Sequence, residues 1–312
     1  MRQPRRLTAA VFALVALVAS GCGGSGPSAG DATPSGADTV PRTVQHAMGS
    51  TEITGKPKRV VVLDTGELDS VLALGVTPVG AVRADATSGL QTYLADRAQN
   101  VQMVGTIKQP NLEEIAALQP DLILSNKVRH EALYDKFSGI APTVFAEKVG
   151  VSWKENFLLA GDALGKREEA ERILAEYQQK ATQVGQQFGD PGALTVSMLR
   201  FTPDNIRLYG EGSFIGTILR DAGFARPQSQ QVDKTVVEIS PEQLSQADGD
   251  LLFYSSLGST QQDKLTAGPL WQRLGAVSGG RAHEVSDDLW YLGIGPIAAD
   301  LVLDDIKGYA TS

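Results

Sequence analysis

The sequence predicts an α/β protein: two α/β lobes with mostly parallel sheets, joined by a single long helix. Three observations carry that prediction. Short β-branched runs alternate with amphipathic stretches at helical spacing, the rhythm of parallel strands linked by helices. One helical pattern then runs unusually long, over residues 152–188, and a second strand and helix series starts after it, at Ala193.

The chain opens with Arg2, Arg5 and Arg6, an apolar run over residues 7–18, the small residues Ala19-Ser20-Gly21, and Cys22. The run is too short to span ~30 Å of hydrocarbon, so residues 1–21 read as an export signal and not as a membrane-spanning helix. The segment resembles a bacterial lipobox, with Ala19 where leucine is usual, and the resemblance implies that Cys22 is lipidated and begins the mature chain. Cys22 is the only cysteine, so no internal disulfide is available and packing alone must stabilise an exported domain. Residues 22–44 carry that cysteine and a Gly-, Ser-, Ala-, Thr- and Pro-rich stretch that reads as a flexible tether. Acyl chains contribute roughly 0.8 kcal/mol per buried methylene, which would hold the globule at the outer face of the cytoplasmic membrane, in a periplasm or at the cell surface.

Three of the 28 basic residues and none of the 36 acidic ones precede Cys22, which leaves a net charge of −11 on the rest. That balance speaks against nucleic acid and anionic headgroups as partners.

The N-terminal lobe is expected over residues 45–150. Residues 59–64 form a β-branched run of the buried parallel kind, and residues 66–74 follow with Leu68, Val71 and Leu72 at helical spacing, ended by Gly75. Further strands are expected over 78–82, 101–104, 121–125 and 142–146, the one at 121–125 preceded by a helix. Residues 151–190 form the linking helix, interrupted only near Gly161 and Gly165, with Ile173, Leu174 and Tyr177 on one face of its charged second half. Residues 191–312 form the C-terminal lobe.

The lobes carry an internal echo. The segment from Asn111 to Leu124 lies on that from Ser240 to Phe253 without a gap, at a constant offset of 129: Glu113 meets Glu242, Asp121 meets Asp250, Leu122 meets Leu251. Both copies open with a capping box, Asn111 with Glu114 and Ser240 with Gln243. Capped helix and strand units look alike in many α/β proteins; equivalent units in two lobes point to pseudo-symmetry.

Lys56-Pro-Lys-Arg-Val-Val-Val-Leu63, the unit from Pro110 to Leu124, Ile206-Arg-Leu-Tyr-Gly210 with Ser213-Phe214, and Pro269-Leu-Trp-Gln-Arg-Leu274 together resemble the iron-siderophore substrate-binding lipoproteins of ABC importers. The resemblance covers the whole domain after the tether. It implies two rigid lobes bridged by a long helix, a shallow ligand cleft between them, a ferric siderophore as cargo, and an ABC permease as partner to a monomeric binding protein. It also implies that Glu113 and Glu242, one on each lobe, dock on permease arginines; both positions equally suit first-turn acids that complement a helix dipole.

Residue chemistry agrees with such a cargo. A ferric siderophore satisfies the iron with its own oxygens, so the protein needs aromatic walls and cations and no metal ligands or cofactor of its own. With three histidines, His46, His130 and His283, and no cysteine beyond Cys22, a dedicated metal site is not expected. Ligands meet open α/β sheets at strand ends. There the sequence places Arg83, Lys127, Arg129 and Arg200; Arg207, Tyr209 and Phe214 cluster around Gly210 and Gly212, whose missing side chains would let backbone approach a bulky ligand; Trp290 and Tyr291 sit in a loop before a helix near Pro296. Guanidinium groups donate to hydroxamate, carboxylate or catecholate oxygens, and aromatics cover the chelate. The charge of −11 favours hydroxamate-type cargo, since it would repel a trianionic triscatecholate. Haem or cobalamin is the alternative cargo, with Tyr209 or Tyr291 as a possible axial ligand. An exported α/β enzyme is a weaker alternative: there is no Gly-x-Ser-x-Gly elbow, phosphate-cradling Gly-x-x-x-x-Gly-Lys or His-Glu-x-x-His.

Overall fold

The computed structural model describes residues 41–84, 89–257 and 260–310, without the side chains of Thr260 and Gln261. The signal, Cys22 and most of the tether lie outside these residues.

The first element is an antiparallel hairpin that the sequence pattern did not announce, β1 (Arg42–His46) with β2 (Gly49–Ile53). Arg42 ties it to the lobe by donating to the carbonyl oxygens of Gly55, Asp162 and Ala163.

The first sheet contains β3 (Val60–Val62), β4 (Gly80–Arg83), β5 (Gln102–Thr106), β6 (Leu122–Asn126) and β7 (Thr143–Ala146), in the order β5-β4-β3-β6-β7 and parallel throughout. Its central strands are apolar on both faces because helices cover both. Val60, Val62, Leu122 and Leu124 meet α1 (Thr65–Ala73), while Val61, Ile123 and Phe145 face the side of α2 (Leu112–Ala117) and α4 (Tyr134–Ser138). The short α3 (Lys127–His130) starts directly at the end of β6. Asp64 caps α1, accepting from Thr65 N at 2.7 Å.

The long helical pattern is divided in two. α5 (Trp153–Leu164) packs in the first lobe, and Gly165 ends it in the left-handed conformation at φ 66°. Gly161, expected to interrupt the helix, lies inside α5. The connecting helix itself is α6 (Arg167–Gln186), whose 20 residues rise roughly 30 Å.

The second sheet contains β8 (Val196–Phe201), β9 (Ile206–Tyr209), β10 (Val236–Ile239), β11 (Leu251–Ser256) and β12 (Ala282–Glu284), ordered β10-β9-β8-β11-β12. β8, β11 and β12 are parallel; β9 is antiparallel to both β8 and β10, because a short turn and no helix joins β8 to β9. α7 (Phe214–Asp221), α8 (Thr260–Thr266), α9 (Pro269–Gln272), α10 (Gly275–Ser278), α11 (Asp287–Trp290) and α12 (Pro296–Gly308) complete the lobe.

Counted along the chain, the two sheets have the same spatial order, each strand of the second standing five places after its counterpart in the first. The echoed aspartates do the same work. Asp121 accepts from Lys58 N and Arg59 N, both at 2.8 Å, and clamps the start of β3. Asp250 accepts from Thr195 N and Oγ1, both at 2.8 Å, at the start of β8. Asn111 caps α2, and Ser240 with Gln243 forms a full capping box on the 3-10 turn Pro241–Ala247.

Both sheets belong to one compact unit. Asp69 on α1, fully buried, reaches across to the start of α12 and accepts from Ile297 N at 2.9 Å and Ala298 N at 3.0 Å.

Candidate functional site

The carboxyl ends of β8 and β11 gather a polar cluster. Arg200, next to last in β8 and 5% exposed, sends Nε and Nη2 to the two oxygens of Asp287, each at 2.6 Å. Ser255, its register partner on β11, donates to the same carboxylate at 2.7 Å. Arg200 Nη1 donates to Tyr209 Oη at 3.3 Å, and its guanidinium lies 5.6 Å from the centre of the Tyr291 ring. Burial pulls the Arg200 pKa down, but Asp287 and Tyr209 outweigh it and the net shift is upward. Tyr209 and Tyr291 meet edge to face at 4.7 Å. Tyr291 Oη donates to Leu199 O at 2.8 Å, and burial raises its pKa well above the ordinary value, with Tyr209 and Asp287 adding to the rise. Both phenol oxygens have hydrogen-bond partners, Tyr209 as acceptor and Tyr291 as donor.

Arg207 lies opposite Arg200 on β9 and is held by Glu238 of β10 at 3.0 Å. Beneath Tyr209 lies Arg226, 5% exposed, which donates Nη2 to Tyr209 O at 2.6 Å and also to Gln230 Oε1.

In the first lobe two acids follow β3, and the end of β6 brings Asn126, Lys127 and Arg129. Asp64, 2% exposed, accepts from Asn126 Nδ2 at 3.0 Å and from Arg129 Nε at 3.1 Å. Glu67, also buried, accepts from Asn126 Nδ2 at 3.3 Å. Burial, and then the charge of Asp64, push the Glu67 carboxyl up to about 8, which favours its protonated form in the fold. Lys127 pairs with Glu147 at 3.6 Å, and Arg83 is exposed at the end of β4. The two sets of strand ends connect near Thr92, whose N and Oγ1 donate to Asp288 at 2.7 and 2.6 Å, one residue from the partner of Arg200.

Two of the expected wall residues are core residues. Trp290 is 1% exposed within α11, packs on Phe253 at 4.8 Å and donates Nε1 to Asp305 at 2.8 Å. An apolar ring that can bury both its surface and its single donor does so. Phe214, first in α7, is buried edge-on against Trp153 at 5.7 Å. Gly210 and Gly212 admit the chain's own backbone and not a ligand: a Cβ on Gly210 would lie 2.5 Å from Lys234 O, and one on Gly212 would lie 2.9 Å from Lys234 N.

The histidines are occupied structurally. His130 meets Ser125 Oγ at 2.7 Å and Ile107 O at 2.6 Å, His46 meets Thr51 Oγ1 at 2.9 Å, and the His283 ring lies 4.3 Å from that of Tyr309. Among the described residues no three His, Cys, Asp or Glu side chains converge to hold a metal. A cavity of about 740 Å³ opens at the α5 to α6 break, away from the strand ends, and its arginines are satisfied by Asp162, Glu169 and Glu171 or by backbone carbonyls. Glu113 and Glu242 are exposed in the first turns of their matching helices.

Sequence reasoning missed Asp64, Glu67, Asp287 and Arg226. Asp64 closes the predicted strand at 59–64 and could have been read as a strand-end acid; the other three follow no periodic pattern.

The model of the family described as periplasmic binding protein matches residues 60–288. The chain is 38% identical over 314 residues to a probable siderophore-binding lipoprotein of Bacillus subtilis (strain 168), with 96% of each chain covered. It is 32% identical over 261 residues to the achromobactin-binding periplasmic protein of Dickeya dadantii (strain 3937), covering 80% of this chain and 85% of the other. Among solved structures, Staphylococcus aureus SirA complexed with staphyloferrin B is similar at a TM-score of 0.79 and 34% identity, over 86% of this chain and 98% of that one.

Proposed function

The chain belongs to the periplasmic binding protein family, and from that premise we propose that it captures a ferric siderophore outside the cytoplasmic membrane and delivers it to an ABC permease for iron uptake. It is a binding protein and not an enzyme. The observation that carries the reading is the cluster of Arg200, Tyr209 and Tyr291 at the strand ends of a fold whose relatives are named for siderophores. Arginine donors and aromatic edges suit a bulky, oxygen-rich chelate. The iron stays wholly on the siderophore's oxygens, which asks no cofactor of the protein. Cys22 carries the lipid anchor, the protein works as a monomer, and Glu113 and Glu242 meet the permease. Among the described residues no helix is long and apolar enough to cross a membrane.

The net charge of −11 after Cys22 does not decide the class of siderophore and so does not secure a hydroxamate-type cargo. At physiological ionic strength repulsion between exposed charges fades over about 8 Å, so groups at the strand ends outweigh the chain-wide balance.

The test is calorimetric titration with ferric hydroxamate, ferric citrate and ferric triscatecholate complexes, with haem and cobalamin as controls. Tight, saturable binding of a ferric complex with no binding of haem or cobalamin supports the reading. Binding of haem or cobalamin alone would keep the fold and replace the cargo.

A further inference from the structure

Four of the cations named at the strand ends pair with carboxylates and Arg83 is exposed, whereas Arg226, in the loop after α7, is buried behind Tyr209. Arg129 has Asp64, Lys127 has Glu147, Arg200 has Asp287 and Arg207 has Glu238. Arg226 makes no ion pair among the described residues, and Glu211 acts on it only through its field. Its Nη2 meets two neutral oxygens, Tyr209 O and Gln230 Oε1, while its Nε and Nη1 are buried with no hydrogen-bond partner. Gln230 cannot turn to meet them, because it also accepts from Met198 N at 2.9 Å and donates to Ser197 Oγ at 2.6 Å.

A structural role does not require this charge. Two neutral acceptors could be served by an amide, and a buried guanidinium without a counter-ion is costly to keep. The charge is nonetheless kept: burial draws the Arg226 pKa down only to about 10, with Tyr291 and Glu211 opposing the fall, so the group is cationic at neutral pH. It sits against the backbone of Tyr209 and beside Tyr291, the two aromatics of the site. Salt screens a buried charge far less than an exposed one.

On the reading that the cargo is a ferric siderophore, we propose that Arg226 is a buried counter-charge that selects a ferric complex of net negative charge, with carboxylate or catecholate oxygens, over a neutral ferric hydroxamate. It would act through its field: it meets the backbone of Tyr209, whose phenol end meets Arg200. At roughly 10 Å and an effective dielectric near 20, one unit charge alters the binding of another by about tenfold or somewhat more.

The experiment uses the full chain, purified in detergent, and measures affinities for ferric citrate, a ferric triscatecholate and a neutral ferric trihydroxamate. The wild type should prefer an anionic complex, and which of the two it prefers identifies the oxygen chemistry. Arg226→Gln should weaken that complex about tenfold and leave the trihydroxamate unchanged; Arg226→Lys, which keeps the charge, should restore most of the loss. A merely structural role predicts equal weakening for all three complexes and no rescue by lysine, and that result overturns the proposal. So does a wild type that favours the neutral complex, a comparison that needs no variant to fold. If the wild type binds no ferric complex at all, the cargo reading fails and this proposal fails with it; a wild type that binds them without regard to charge removes the proposal alone.

Discussion

Glu67→Gln should make the protein's stability less dependent on pH. Glu67 is buried at the start of α1, beside Asp64, Asn126 and Arg129. Burial first, and the Asp64 charge second, raise its pKa from 4.5 to about 8. A native pKa above the unfolded one means that the folded chain holds a proton the unfolded chain has lost. The stability contributed by this group is therefore complete below pH 4.5 and falls as pH rises through the window to about 8. Each unit of pH inside the window costs the wild type at most about 1.4 kcal/mol. Between pH 5.5 and 7.5 the wild type should thus lose up to about 3 kcal/mol relative to Glu67→Gln, which stays neutral and still accepts from Asn126. For a protein of this size that is roughly 5–10 °C of relative Tm. Asp69, also raised by burial, to about 7, contributes a slope of the same sign to both proteins and cancels in the difference. Thermal or urea unfolding of the pair across pH 5–9 is the assay. Parallel curves would show that Glu67 ionises in the native state as it does in the unfolded one, and would refute the reasoning.

Three further outcomes are expected. Glu113→Lys combined with Glu242→Lys should abolish siderophore-dependent uptake in cells while the purified protein keeps its ferric siderophore affinity; intact uptake would leave these two as first-turn acids that complement the helix dipole. Gly210→Ala should cost about 1–3 kcal/mol in urea unfolding, because its Cβ would fall 2.5 Å from Lys234 O and 2.8 Å from Val232 O, and backbone must move. Trp290→Phe should leave cargo affinity within about twofold while lowering Tm, since the ring lies in the core and the variant leaves Asp305 without its donor; a large affinity loss at unchanged stability would return Trp290 to the site.

The β-branched runs placed the buried strands of the first sheet because a strand covered on both faces has no polar alternation to confuse it. The hairpin at Arg42–Ile53 alternates weakly and is secured by Arg42 to residues more than a hundred positions away, a contact no local pattern carries. Nothing in the apolar alternation of β9 encodes its direction; the short turn before it does. The site divides in the same way. Arginine after an apolar run was legible at Arg200 and Arg129, but that Arg200 is the last-but-one residue of β8 and buried against Asp287 was not. Trp290, Tyr291 and Phe214 look alike in sequence, and only packing separates the two that are buried from the one that joins the cluster. Arg226 lies in a loop after a helix, and its importance rests on partners it lacks, which no sequence shows.

The pseudo-symmetry makes the difference between the lobes informative. Equivalent aspartates clamp equivalent strands, and both sheets follow one order, so the frames are interchangeable while their strand-end chemistry is not. In the first lobe β4 runs parallel to β3, and the strand ends present Asp64 and Glu67 around Asn126. In the second, β9 turns back beside β8 and brings Arg207 opposite Arg200 on one face, with Tyr209 following on the same face. Reversing one strand thus puts the paired Arg200 and Arg207 side by side, where the other lobe sets Asp64 and Glu67 around Asn126. On the proposed reading, a cargo between the lobes would meet the Arg200, Tyr209 and Tyr291 cluster on one side and the Asp64, Glu67, Asn126 and Arg129 set on the other. Such a site can orient an asymmetric chelate as well as hold it, whereas two identical lobes would bind it equally well either way round.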